Sequence, residues 1–137
     1  MSTVAGTVDE AKAKASAEQQ NILVVMTTGT ENPNKTNVAV LTIFGLRKQG
    51  HTVNVLQMAD AGSVVALEQL AAIQGFGLPS VKELLAAEEM ADVIWFVWGF
   101  CAKARNKTED MLGRKGKIVD AVTSTELMVA ADKVLTF

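Results

Sequence analysis

The sequence predicts an α/β protein, a three-layer α/β/α sandwich built on a mostly parallel five-stranded sheet. Three observations carry this prediction. Short β-branched apolar runs alternate with helical stretches throughout the chain, and the connections between them are short. The runs at 22–26 and 93–98 are apolar at every position, as in strands buried on both faces of a parallel sheet. No internal repeat or low-complexity block interrupts the alternation. At 137 residues, with 49% apolar and 20% charged residues, the chain suits one domain with a real core and excludes two large ones. The expected organisation is an N-terminal tail or short helix at 1–20 and a single α/β domain at 21–137.

The first twenty residues are rich in Ala, Lys, Glu and Gln, without the basic start and apolar stretch of a secretory signal. Thr7 and Glu10 have capping-box spacing, and Val8, Ala11 and Ala15 follow at helical intervals. An alanine stripe buries little area, so this segment is expected to be mobile in a monomer or ordered only against a neighbour. Ile22 to Met26 reads as the first strand and Thr27-Thr28-Gly29-Thr30 as its turn. Asn32-Pro33 opens a helix that Gly50 closes. His51 to Gln57 is the second strand, and a helical stretch runs from Ser63 to Ile73. Gly75 to Gly77 breaks it, and Ser80 with Glu83 caps a further helix. Asp92 to Trp98 is the third strand. Thr108, Glu109 and Asp110 start a short helix that stops at Gly113, and Lys117 to Ala121 is the fourth strand. Thr123 with Glu126 forms another capping box ahead of a helix at Leu127 to Ala131, and Lys133 to Phe137 is the last strand.

Composition excludes several functions. A net charge of -2 provides no global field for a polyanion, so nucleic acid is not an expected partner. One cysteine forms neither an internal disulfide nor a four-cysteine zinc site, which fits a reducing, cytoplasmic setting. The longest apolar run, Val93 to Ala102, is half the roughly 20 residues of a membrane-spanning helix, so no transmembrane segment is expected.

Ligands of open parallel sheets bind outside the carboxyl ends of the strands, where loops diverge and helix N-termini point their free amides. The segments on that edge are Thr27 to Asn32, Asp60 to Ser63 and Gly99 to Arg105. His51, the only histidine, starts a strand at the opposite edge and is assigned a surface role. Cys101 lies on the productive edge. Between Lys103 and Lys117 six cations (Lys103, Arg105, Lys107, Arg114, Lys115 and Lys117) face only Glu109 and Asp110, a local charge of +4 in a chain whose remainder carries -6. Positive potential favours a thiolate, the nucleophile and sulfur acceptor. The same position equally suits a small buried apolar residue beside an ordinary solvated face. If the nearest helix starts at Thr108, Cys101 stands in a loop without help from a helix terminus.

The Met26 to Glu31 turn partly resembles the phosphate loop of flavodoxins, but Met26 and Glu31 occupy positions where that loop prefers hydroxyls, and Glu31 repels phosphate. Gly75-Phe76-Gly77 follows a helix rather than a strand and is weaker still. Glu31 and Asp60 share the edge, yet two carboxylates without a histidine make a poor metal site, and none is assigned. Trp95 and Trp98 point to opposite faces of the third strand, Trp95 into the core and Trp98 beside Cys101, where it either walls a pocket or packs on a helix. On the helix after the first strand, Val38, Ala39, Val40, Leu41, Ile43, Phe44 and Leu46 cover nearly the whole circumference. Its outer face is therefore expected against another subunit, with overlying N-terminal residues as the alternative.

Taken in order, several segments resemble the DsrE-like (DsrE/DsrF) family of small sulfur-relay proteins. They are the Thr27-Thr28-Gly29 turn, Gly50-His51-Thr52-Val53, Leu78-Pro79-Ser80 leading into Glu83-Leu84-Leu85, Cys101 followed by Lys103-Ala104-Arg105, and Ala131-Asp132-Lys133-Val134-Leu135-Thr136-Phe137. The resemblance runs from about Ile22 to Phe137. It implies a three-layer α/β fold, a homo-oligomer (commonly a trimer or hexamer) and a persulfide formed at Cys101. Some relatives carry a further cysteine where Trp98 stands here. The leading expectation is a sulfur carrier without a bound cofactor, in which Cys101 accepts sulfur from a donor protein and passes it to an acceptor protein while Lys103 and Arg105 stabilise the thiolate. The alternative is a non-catalytic ligand-binding or regulatory module whose crevice comprises Thr27, Thr28, Gly29, Asp60, Gly62 and Trp98, with flavin or nucleotide as its most testable ligand.

Overall fold

The computed structural model describes residues 8, 9, 12, 18–113 and 116–137. The capping pair Thr7 and Glu10, the stripe residues Ala11 and Ala15, and the cations Arg114 and Lys115 lie outside them. The strands are β1 (Asn21–Met26), β2 (Thr52–Gln57), β3 (Ile94–Trp98), β4 (Lys117–Val119) and β5 (Lys133–Thr136). They form one sheet in the order β4-β3-β2-β1-β5, with every pairing parallel. The helices are α1 (Pro33–Lys48), α2 (Leu67–Ala71), α3 (Val81–Ala86), α4 (Gly99–Ala104), α5 (Glu109–Leu112) and α6 (Ala121–Ala130), with 3₁₀ turns at Ala59–Val64 and Glu88–Met90. Among the described residues no helix is long and apolar enough to cross a membrane.

From β1 to β4 each strand steps to the next neighbour in the same direction. Right-handed crossovers therefore place all three intervening connections on one face. The return from β4 to β5 reverses direction and carries α6 to the other face. Side-chain alternation follows this division. Ile22, Val24, Met26, Val53, Val55 and Trp95 pack with Ala39, Val40, Ile43, Leu84 and Leu85 on the crowded face. Leu23, Val25 and Leu56 pack with Leu127 and Met128 of α6 on the other. Among the described residues the three layers are thus unequal, with a single ten-residue helix covering one side of five strands.

Local chemistry explains most element boundaries. Asn32 caps α1 by accepting the Lys35 amide at 3.2 Å, and Pro33 follows in the first turn. Gly50, at φ +87°, ends the helix as its amide bonds the Arg47 carbonyl. Ser80 caps α3 through the Glu83 amide at 3.1 Å. Two expectations are corrected. The stretch from Ser63 to Ile73 is not one helix. It is a 3₁₀ turn and the short α2, and the buried Gln57 amide holds the Val64 carbonyl between them at 3.1 Å. Helix α6 starts at Ala121 rather than Leu127, because Asp120 accepts the Thr123 amide at 2.7 Å and so ends β4 at Val119.

The apolar circumference of α1 is mostly core. Val40 and Ile43 are fully buried, and Leu41, Phe44 and Leu46 pack partly against the same cluster. The outward row retains Val38, which is 39% exposed, and Gly45. The breadth of the stripe thus reflects packing against both the sheet and α3.

Candidate functional site

Three segments meet at the carboxyl edge of the sheet: 27–32 after β1, 58–64 after β2 and α4 after β3. The first two are stitched together closely. A Cβ on Gly29 would lie 2.1 Å from Ser63 Oγ and 2.5 Å from the Asp60 carbonyl, so only glycine permits this approach. Ser63 Oγ donates to the Asp60 carbonyl and accepts the Thr30 amide, at 3.0 and 3.3 Å. The Gly29 amide donates to the Glu31 carboxylate.

The hydroxyls expected to cradle a ligand phosphate are engaged within the chain. Thr27 Oγ1 donates to the Phe137 carbonyl at 2.8 Å, and Thr28 Oγ1 pairs with Thr36 Oγ1 at 3.1 Å. Thr36 Oγ1 also lies within bonding distance of the Gly29 carbonyl, at 2.8 Å. The turn is therefore built as a brace between β1, α1 and the end of β5.

Cys101 is 9% exposed. It stands in the first turn of α4, which starts at Gly99 and not at Thr108, so the loop alternative does not hold. Its Sγ accepts the backbone amide of Ala59 at 3.1 Å. Ala59 has φ +53°, a left-handed conformation unusual for a residue with a Cβ. An amide donor aimed at sulfur stabilises negative charge there, as in anion-binding loops.

Helix spacing sorts the other candidates. Residues four apart share a face, whereas those two apart are about 200° apart. Arg105 therefore shares the Cys101 side, and its Nη2 lies 3.9 Å from Asp60 Oδ1, next to Ala59. The Arg105 side chain passes over Gly62, where a Cβ would stand 2.9 Å from Nη1 and 3.2 Å from Cδ. Lys103 turns to the β4 side and lines a shallow cavity of about 210 Å³ with Gly99, Phe100 and Asp120. Trp98 faces the α6 layer with its ring edge-on to Phe100, the centroids 5.8 Å apart. His51, assigned a surface role, lies at the opposite edge with its Nδ1 accepting the Gln20 amide at 3.0 Å.

The structure thus brings Cys101, Arg105, Asp60, Gly62 and Gly29 to one corner and places Lys103 and Trp98 outside it. A cavity of about 240 Å³ opens there, lined by Thr30, Glu31, Asp60, Ser63 and Arg105. Sequence reasoning missed Ala59, since nothing in an alanine announces a positive φ. The Asp60-Ala61-Gly62-Ser63 run, rich in turn residues after a strand, was the available signal for Ser63.

Fold and site together define a three-layer α/β protein with a parallel sheet and one recessed thiol at its carboxyl edge. No protein-family model matches the chain, and no curated protein is similar to it in sequence. Among solved structures it is similar to the ychN protein from E. coli, a DsrE-like fold, at a TM-score of 0.66 and 19% identity, over 88% of this chain and 100% of that one. At this identity the likeness shows the fold alone.

Proposed function

We propose that the protein is a cysteine-dependent sulfur carrier, or sulfurtransferase-like protein, that holds a persulfide on Cys101. The observation that carries this reading is the 3.1 Å bond from the Ala59 amide to Cys101 Sγ. A backbone donor held at positive φ is suited to stabilise charge on sulfur, and Arg105 adds a cation on the same side of α4. Sulfur donor and acceptor proteins are its partners and the cytoplasm its setting. It works without a bound cofactor, as a homo-oligomer, trimer or hexamer. Incubation with a cysteine desulfurase or with polysulfide, followed by intact mass measurement, is expected to add sulfur to the parent protein and none to Cys101→Ser. Absence of cysteine-dependent addition overturns the proposal. The 9% exposure of Cys101 favours a second reading, a non-catalytic oligomeric module that binds a small ligand at this edge. A flavin or nucleotide that shifts the melting temperature, with no sulfur added to Cys101, selects that reading.

A further inference from the structure

The cavity at this corner is small, polar and of mixed charge, and it is lined by the neighbour of Ala59 and by Arg105 rather than by Cys101 itself. Thr30, Glu31, Asp60, Ser63 and Arg105 line it, and Asp60 Oδ1 lies 3.9 Å from Arg105 Nη2. Two carboxylates against one guanidinium do not suit a phosphate, and they leave a purely apolar ligand without any gain. They suit a small molecule carrying both an ammonium and a carboxylate. The Arg105–Asp60 pair is loose at 3.9 Å, and the Asp60 side chain is 69% exposed, so a ligand carboxylate has little to displace. Freed from Arg105, Asp60 joins Glu31 in facing an ammonium. Both halves of this arrangement are tied to the sulfur. Asp60 follows Ala59, whose amide bonds Cys101 Sγ, and Arg105 is one helical turn beyond Cys101. The narrow exposure of Cys101 also admits a slender small molecule more readily than a folded partner's surface.

Resting on the carrier reading above but with a small molecule in place of the donor protein, we infer that the sulfur donor is a small α-amino-acid persulfide of the cysteine type, bound by Arg105 through its carboxylate and by Asp60 and Glu31 through its ammonium. The Cys101 thiolate attacks the outer sulfur of the donor's S–SH group. The donor's S–S bond breaks, a new S–S bond forms on Cys101, and the donor departs as a thiolate. The proton stays on the outer sulfur as it moves to Cys101, giving Cys101–S–SH, and no external oxidant or reductant is consumed.

The test compares the rates at which cysteine persulfide, cysteamine persulfide (no carboxylate) and 3-mercaptopropionate persulfide (no ammonium) add sulfur to Cys101, read by intact mass, with inorganic polysulfide as a charge-indifferent donor. Cysteine persulfide is expected to react roughly five- to tenfold faster than either half-molecule. Arg105→Gln is expected to collapse its advantage over the cysteamine compound, and Asp60→Asn its advantage over the mercaptopropionate compound, with both variants checked for an unchanged melting temperature. Equal rates for all three persulfides, with polysulfide still charging Cys101, overturn the zwitterion site and leave the carrier reading standing. If polysulfide and the persulfides all fail to charge Cys101, the carrier reading falls and this inference with it.

Discussion

The backbone amide of Ala59 reaches the sulfur of Cys101 across 3.1 Å from a loop 42 positions earlier in the chain. The contact joins the end of β2 to the start of α4, and it depends on a left-handed residue, φ +53°, that carries a methyl group. A branched side chain is strained further in this conformation, whereas glycine is not. Ala59→Val is expected to lose about 1–3 kcal/mol in urea denaturation, and Ala59→Gly to stay within about 1 kcal/mol of the parent. Native-state maleimide labelling of Cys101 should quicken only in the valine variant. An equal response from both variants refutes the role given to the backbone angle.

Gly29 sets the distance between the first two loops. With a Cβ 2.1 Å from Ser63 Oγ and 2.5 Å from the Asp60 carbonyl, Gly29→Ala forces them apart, at a cost of about 1–3 kcal/mol. Adding Ser63→Ala removes one clash and leaves the carbonyl, so recovery in a chemical melt should be partial. Full recovery shows that the backbone approach is not limiting.

Helix α1 separates core from surface within one turn. Val40→Lys and Ile43→Lys place a charge at fully buried positions and are expected to abolish cooperative unfolding, as seen by circular dichroism. Val38→Lys, at a site 39% exposed, should keep the fold. If α1 lies in a subunit contact, this variant also reduces the particle size measured by light scattering. A size equal to that of an oligomeric parent removes the outer row of α1 from the contact.

Asp120 gives α6 a pH dependence. Hydrogen bonds from the Thr123 amide and hydroxyl hold its carboxyl below the ordinary value of 3.8. A lowered folded value contributes stability that is fully present above the unfolded value and is lost as pH falls through the folded one. Asp120→Asn retains an acceptor without the charge. Its melting temperature is expected to lie below the parent's near neutrality and to converge with it in acid; a constant gap across this range contradicts the assignment.

Local punctuation was readable. Asn32-Pro33, Gly50 and Ser80 act within four residues of their own positions, and each ends or starts a helix where expected. The failures share a non-local or ambiguous cause. Asp120-Ala121-Val122 suits a strand tail as well as a helix start, and the Thr123–Glu126 spacing competed with the cap that forms. The break after Val64 depends on Gln57, a buried side chain reaching back from β2. At the site, the charge of the segment after Cys101 was plain in the sequence, but its direction was not. Only a helix start at Gly99 sends Arg105 toward Asp60 and Lys103 toward Asp120.

The sheet order also bears on how the chain reaches its native state. β1 pairs with β2 on one side, but on the other it waits for β5, with Ile22 opposite Lys133 and Val25 opposite Thr136. Until 133–136 dock, the run Ile22–Met26 is an uncharged apolar strand with an open edge, a template for association with other nascent chains. Closing that edge takes one of the most distant pairings in the molecule, which slows the final step of folding. Variants that weaken β5 therefore put yield at risk before they affect anything the finished protein does.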